Sequence, residues 1–180
     1  MPDAGHCDWD TGYVQVYTGD GKGKTTAAFG LAVRAVGAGL KVFIGQFVKG
    51  MHYSELDAMG RFSGAVELRQ YGRDCFIRRD ATPEDKAVAR AGLEDARQAL
   101  VSGDYDLVIL DEANIATHFS LFSVDDLLGV IDAKPNQVEL VITGRRADPR
   151  IMERADLVTE MREIKHYYAD GVPARHGIEN

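Results

Sequence analysis

The stretch YVQVYTGDGKGKTTAAFGLAVRAVGAG, residues 13–39, indicates the fold more directly than any other part of the sequence. Its start is rich in valine and tyrosine and predicts a strand over residues 13–19, whereas residues 25–39 have apolar side chains at helical spacing and predict a helix. The glycine-rich residues between them match the phosphate-binding pattern G-x-x-x-x-G-K-[ST], except that Thr18 stands at the first glycine. A strand, a glycine-rich turn and a helix in this order predict a nucleotide-binding α/β domain.

Similar segments alternate along the rest of the chain, and this alternation predicts an α/β fold with a mostly parallel sheet. We expect residues 1–12 to form a short flexible N-terminal segment and residues 13–180 to form a single domain. The further predicted strands are 41–47, 66–71, 106–112, 138–144 and 157–168, the last running into an exit segment, and the further predicted helices are 54–62, 81–103, 123–134 and 148–155.

Composition excludes several classes of protein. Lys and Arg number 21 against 28 Asp and Glu, a net charge of −7, which repels a phosphate backbone and disfavours nucleic acid as the main partner. The two cysteines, Cys7 and Cys75, show no zinc-ligand spacing, and Cys75 is interpreted as a small apolar side chain. The sequence has neither a secretory signal nor the ~20 consecutive apolar residues that span a bilayer. We expect a cytoplasmic protein with reduced thiols and no membrane contact.

The glycine-rich loop predicts a site for the phosphates of ATP. Gly21 and its neighbouring glycines let backbone N–H groups turn inward without Cβ clashes. Lys24 supplies a positive charge, Lys22 adds a second cation, Thr25 offers a hydroxyl to Mg²⁺, and the helix N-terminus favours an anion. The predicted ATP-binding residues of the loop are Thr18, Gly19, Asp20, Gly21, Lys22, Gly23, Lys24, Thr25 and Thr26.

Two acidic residues follow the buried strand of LVILDE. In nucleotide-hydrolysing proteins such an acid holds Mg²⁺ directly or through water. We therefore predict a Mg²⁺ site at Thr25, Asp111 and Glu112. From the residues alone, Glu112 either binds the metal or acts as a base.

Loops that leave the carboxyl ends of parallel strands gather around one crevice, which brings further cations to the site. Arg145, in ITGRR, is predicted to contact ATP, with an exposed surface arginine as the alternative. Lys49, in QFVKG, is predicted to lie near the site, with a solvated turn as the alternative. A small-molecule kinase would need arginines clustered over the phosphates, for which Arg145, Arg146 and Arg150 are available. The remaining alternative is a P-loop ATPase or a regulatory nucleotide-binding module that forms ADP.

Five stretches together resemble the P-loop ATP:corrinoid adenosyltransferases, which act on cob(I)alamin or cob(I)yrinic acid a,c-diamide. The resemblance covers about residues 13–179 and implies a three-layer P-loop NTPase domain of the RecA type. The five stretches are TGDGKGKTTAAFGLAVRAVG, QFVKG, LVILDE, ITGR and ADLVTEMREIKHYYADGVPARHGIE.

The resemblance also implies the reaction. The Co(I) centre of a reduced corrinoid attacks C5′ of ATP, inorganic triphosphate leaves, and the product serves adenosylcobalamin biosynthesis or salvage. Lys24 and Glu112 are the implied catalytic residues, Lys24 at the departing triphosphate and Glu112 in the metal site, because Co(I) needs no protein base. The implied partners are an electron-donating reductase or flavoprotein and a second copy of the chain in a homodimer.

On the corrinoid side the sequence departs from the family pattern. The family has a Phe-Thr-Trp segment after the third strand, whereas this chain has GRDCFIRRD over residues 72–80. Phe76, Tyr71 and Lys49 are the residues expected near the corrinoid, and core packing is the alternative for Phe76. His166 is interpreted as structural, because a four-coordinate cobalt has no imidazole ligand.

Overall fold

The computed structural model of the chain describes residues 9–73 and 81–179. Cys7, Cys75 and Phe76, which the sequence analysis discussed, lie outside these ranges. The strands are β1 (Val14–Thr18), β2 (Val42–Phe47), β3 (Val66–Tyr71), β4 (Leu107–Asp111), β5 (Glu139–Thr143) and β6 (Leu157–Glu160). The helices are α1 (Lys24–Gly37), α2 (Ser54–Gly60), α3 (Pro83–Val101), α4 (Ala113–His118), α5 (Val124–Asp132) and α6 (Pro149–Arg154), with a 3-10 turn at Tyr167–Asp170.

The six strands form one sheet in the order β3-β2-β4-β5-β1-β6, and every pairing in it is parallel. This confirms the predicted α/β class, with a sheet that is wholly rather than mostly parallel. Because all strands run the same way, the loops that follow them leave from one edge. The order places β4 between β2 and β5, so the residues that end β4 meet the loops after β2 and β5.

Both faces of the sheet are covered by helices, which makes three layers. On one face α1 packs against the strands through small and aromatic side chains such as Ala28, Phe29 and Ala32. On the other face α3 to α6 pack through side chains such as Leu93 and Leu127. A strand buried on both faces must be apolar throughout, and all five residues of β4 are buried.

The two helices with the clearest start signals begin where the sequence predicts. The Thr82 hydroxyl accepts a hydrogen bond from Asp85 N–H and the Asp85 carboxylate accepts one from Thr82 N–H, a reciprocal cap before Pro83. Ser123 and Asp126 repeat the arrangement before α5. Such caps satisfy N–H groups that have no partner within the helix.

Two predictions of secondary structure were wrong. The six-residue helix α4 was not predicted, because it is too short for helical periodicity to be visible. The strand predicted over 157–168 ends at Glu160, since β6 is an edge strand whose one neighbour is β1, and pairing stops where β1 turns into the glycine-rich loop. Within residues 9–73 and 81–179, no helix is long and apolar enough to cross a membrane.

Candidate functional site

The glycine-rich loop connects β1 to α1 and carries a buried cation. Helix α1 begins at Lys24, and Gly23 before it has a φ of 120°, which favours glycine. Lys24 Nζ donates hydrogen bonds to the carbonyl oxygens of Gly19 and Gly21, both at 2.8 Å. Burial lowers the pKa of Lys24, although the nearby carboxylate of Glu112 acts in the opposite direction. The ammonium is therefore held inside the loop by neutral acceptors.

Thr18, which replaces the usual first glycine, links this loop to the loop after β5. Its side chain is 7% exposed, and its hydroxyl oxygen accepts a hydrogen bond from Ala147 N–H at 3.3 Å. A glycine cannot make this bond. Of the other predicted ATP-binding residues, Asp20, Lys22 and Thr26 are exposed and Gly21 is buried.

Asp111 ends β4, is fully buried, and joins three strands to the loop. Its Oδ1 accepts hydrogen bonds from the hydroxyls of Thr25 at 2.9 Å and Thr143 at 2.7 Å. Its Oδ2 accepts from Lys49 Nζ at 3.0 Å and from Gln46 Nε2 at 3.2 Å. Asp111 thus gathers four hydrogen-bond donors, one of them charged.

Lys49 lies between two acids. Its ammonium is 3.0 Å from Asp111 Oδ2 and 3.5 Å from Glu55 Oε1. Burial acts to lower its pKa, but the charge and hydrogen bond of Asp111, together with the charges of Glu112 and Glu55, outweigh burial, so the pKa of Lys49 is raised. Two acids and one lysine form a half-buried ion cluster, and Lys49 is not a solvated turn residue.

Glu112 follows Asp111 with an unusual backbone conformation. Its φ is 61°, in the left-handed region that non-glycine residues enter at a cost of about 1–3 kcal/mol. Its N–H donates to Thr143 Oγ1 at 3.0 Å, and α4 begins at the next residue. Burial, and then the charge of Asp111, raise the pKa of Glu112. Two neighbouring carboxyls thus have different environments, one saturated with donors and one poorly solvated.

Arg145 leaves the carboxyl end of β5 on the same side of the sheet. It is exposed, and its positive charge lowers the pKa of both Lys24 and Glu112, so it is electrostatically close to both. The structure thus brings Lys24, Thr25, Asp111, Glu112 and Arg145 to one edge of the sheet.

The residues present fit a hard cation at the loop. The Thr25 hydroxyl oxygen stays free to coordinate a metal, because its proton is donated to Asp111. Asp111 already accepts from Lys49 on its other oxygen, so it is suited to orienting Thr25 and water more than to direct coordination. Across residues 9–73 and 81–179, no cluster of three or more His, Cys, Asp or Glu side chains could hold a metal.

The two described residues expected near the corrinoid, Lys49 and Tyr71, are both partly buried and engaged by other side chains. Lys49 is engaged by the acids, and the Tyr71 ring packs 5.3 Å from the Phe47 ring. The Tyr71 hydroxyl donates to Asp95 Oδ2 at 2.5 Å, so Tyr71 also ties β3 to α3. His166 accepts a hydrogen bond from Tyr168 N–H through Nδ1 at 3.1 Å and caps the 3-10 turn.

Sequence reasoning missed three polar residues of the site: Gln46, Glu55 and Thr143. Gln46 is fully buried and also accepts a hydrogen bond from Gln70 Nε2 at 3.2 Å. The signal for Gln46 and Thr143 was a polar residue near the carboxyl end of an apolar strand. Glu55 carried no such signal, because it starts a surface helix.

The matches to known proteins agree with this geometry. The chain matches the family model of the ATP:corrinoid adenosyltransferases BtuR/CobO/CobP over residues 10–180. The chain belongs to this family. A corrinoid adenosyltransferase of Pseudomonas aeruginosa is 38% identical over 171 residues, which are 94% of this chain and 84% of that protein.

Two enterobacterial adenosyltransferases are similar over the same extent. The corrinoid adenosyltransferase of Escherichia coli K12 is 35% identical, and the corrinoid adenosyltransferase CobA of Salmonella typhimurium LT2 is 33% identical. Each match spans 170 residues, 94% of this chain and 86% of the relative. Family membership confirms the resemblance seen in the sequence, and with it a transferase that uses ATP and a corrinoid.

Proposed function

We propose that this adenosyltransferase moves the 5′-deoxyadenosyl group of ATP to the Co(I) centre of a reduced corrinoid and releases inorganic triphosphate, in adenosylcobalamin biosynthesis or salvage. The observation that carries the residue assignment is the hydrogen bond from Thr25 to Asp111, which joins the glycine-rich loop to the end of β4. This bond supports a site in which the loop would bind phosphate and Asp111 would orient a metal.

Each residue then has a role in the proposal. Lys24, with Lys22 and the loop amides, stabilises the charge that builds on the departing triphosphate. Thr25 would hold Mg²⁺, with Asp111 orienting Thr25 and water and Glu112 close by, and the metal would supply positive charge to the triphosphate. Arg145 adds positive charge from the loop after β5. The chain aligns C5′ with the cobalt nucleophile, which is a matter of positioning.

Three further parts of the proposal concern the surroundings of the enzyme. Co(I) must be generated by reduction, so an electron-donating reductase or flavoprotein supplies the substrate. A homodimer and a cytoplasmic location follow by analogy with the family. Phe76, Tyr71 and Lys49 are the proposed residues on the corrinoid side, Lys49 acting through Asp111.

The test is an anaerobic reaction of the protein with chemically reduced cob(I)alamin and MgATP. We expect a light-sensitive alkylcobalt spectrum and one triphosphate for each adenosyl group transferred. An unchanged spectrum would be followed by the same assay with cob(I)yrinic acid a,c-diamide. Failure with both substrates, with ADP formed instead, would refute the proposal and favour a P-loop ATPase with Glu112 as its base.

A further inference from the structure

The segment after β6, residues 161–179, runs directly against the glycine-rich loop, and we call it the C-terminal strap. Met161 N–H donates to Thr18 O at 2.9 Å, and Gly21 N–H donates to Met161 O at 2.7 Å. A Cβ atom at Gly19 would lie 2.4 Å from the Met161 carbonyl oxygen. Strap and loop backbones are therefore in contact, and one loop amide that could bind phosphate is occupied by a strap carbonyl.

The far end of the strap accepts a hydrogen bond from Lys22, a cation of the same loop. Lys22 Nζ donates to Ile178 O at 2.6 Å. The turn that presents this carbonyl is closed on itself, because Ile178 and Glu179 donate their N–H groups to Arg175 O at 3.1 and 3.0 Å. The Glu179 carboxylate accepts from Arg175 N–H at 2.8 Å and from the Tyr167 hydroxyl, and the Arg175 guanidinium lies 4.7 Å from the centre of the Tyr167 ring.

Between these two attachments the strap has little to hold it. Ile164 is 86% exposed, and Glu163 and Lys165 are also exposed. The first attachment continues the pairing of β6 with β1, whereas the second depends on one lysine and a surface turn. Residues 166–179 are thus a small self-closed unit that can leave the loop without disturbing the sheet.

We propose that the strap is a competitive cover of the triphosphate site, which ATP displaces from Lys22. The inference rests on the proposed function for the identity of the ligand, a triphosphate group. The donor is the charged Lys22 ammonium in both cases, but triphosphate oxygens carry negative charge and a peptide carbonyl does not, so triphosphate adds a Coulomb attraction that the Ile178 carbonyl lacks. When triphosphate binds, Lys22 exchanges the Ile178 carbonyl for a phosphate oxygen, and residues 166–179 lose their attachment.

Competition of this kind lowers the apparent affinity for ATP by the fraction of molecules whose strap is closed. A change that loosens the strap without touching the loop therefore tightens ATP binding. Glu179→Gln removes the charge that holds Arg175 and Tyr167, at a position outside the phosphate site. Glu163→Gln is the matched control, because it makes the same change at an exposed strap residue away from that cluster.

The experiment is hydrogen exchange by mass spectrometry on the full chain, with Mg²⁺ and either tripolyphosphate or ATP and without corrinoid. Amides of the strap that are hydrogen-bonded within it, such as Gly171 and Glu179, are expected to exchange at least ~3-fold faster when ligand binds, while the loop becomes protected. In Glu179→Gln the strap exchanges faster without ligand, and the Kd for MgATP falls by roughly 2- to 5-fold. Glu163→Gln matches the wild type in both measurements.

Several outcomes would overturn the inference. One is bound triphosphate that leaves exchange of 166–179 unchanged or slower, which would make the strap a fixed wall or a lid that closes. Another is weaker MgATP binding by Glu179→Gln. Because corrinoid is absent, these results are independent of the transfer reaction. If the strap opened in a protein that failed to adenosylate a corrinoid, the proposed function would be refuted and the inference about the strap would stand. If the protein bound no triphosphate, both the proposed function and the inference about the strap would be refuted.

Discussion

The close contact between strap and loop makes Gly21→Ala a sharp test of the structure. A Cβ at this position would lie 2.7 Å from Met161 O, 2.8 Å from Arg162 C and 2.9 Å from Met161 C. All three are backbone atoms, so no change of side-chain rotamer relieves the clash. Retreat to the 3.4 Å of an ordinary contact requires a shift of 3.4 − 2.7 = 0.7 Å, which also stretches the Gly21–Met161 hydrogen bond.

The cost has two parts. Forced displacement of packed atoms costs about 1–3 kcal/mol, and a weakened backbone hydrogen bond costs about 1 kcal/mol. The free energy of unfolding should therefore fall by about 2–4 kcal/mol. For a chain of this length the melting temperature falls by about 2–4 °C per kcal/mol, which gives a decrease of roughly 4–16 °C.

The assay is thermal and urea unfolding followed by circular dichroism, with Gly30→Ala as the control. Gly30 lies within α1, and a Cβ there meets nothing within 4 Å, so the control should be stabilised by about 0.5–1 kcal/mol through helix propensity. The two variants share the entropic effect of replacing glycine in the unfolded chain. If Gly21→Ala melted within a degree of Gly30→Ala, the contact between strap and loop would be wrong.

Three further changes test the site and the fold. Lys24→Ala should lower kcat/KM for adenosyl transfer by roughly 10²-fold or more, and turnover near the wild-type rate would mean that the phosphates lie elsewhere. Asp111→Asn removes the carboxylate that pairs with Lys49, so the free energy of unfolding in urea should fall by about 2–4 kcal/mol and transfer activity should fall as well. Unchanged stability would contradict the ion cluster. The hydrogen bond from Arg69 lowers the pKa of Asp95, so this carboxylate stabilises the fold above its unfolded pKa and loses that effect as the pH falls through its lower folded pKa. Because the Asp95 side chain is 37% exposed, solvent screens the pair to on the order of 0.5 kcal/mol, and Asp95→Asn should show that deficit at pH 7 and a shrinking one as the pH falls below the ordinary pKa of an aspartate, in parallel melts.

Much of the fold was predictable because local signals and burial agree along this chain. The strand β3 was predicted with the observed bounds, and β2 and β4 to within one residue at each end. The start of α3 was predictable because Thr82 and Pro83 act within the segment itself. The loop, Thr25 and Asp111 were predictable because each belongs to a motif whose chemistry is local.

Partnerships across the sheet were not predictable in the same way. The contact between Lys49 and Asp111 depends on β2 lying beside β4, and the sequence of neither strand indicates which strand will be its neighbour. The path of the strap has a similar cause. The sequence predicts a strand through residues 157–168, but only Leu157–Glu160 pair with β1, and the chain beyond them runs along the glycine-rich loop.

The cations of the site differ in what neutralises them, and this difference assigns their roles. Lys49 faces the carboxylates of Asp111 and Glu55, so its charge is already balanced and contributes little attraction for phosphate. Lys24 and Lys22 donate hydrogen bonds to peptide carbonyls, which fix the ammonium groups without cancelling their charge, and neither forms an ion pair with a carboxylate in the part of the chain that the structure describes. A departing triphosphate therefore meets cations that are already positioned, and reorganisation at the moment of reaction is small. It follows that binding of triphosphate should depend on Lys24 and Lys22, whereas Lys49 should matter through the position of Asp111.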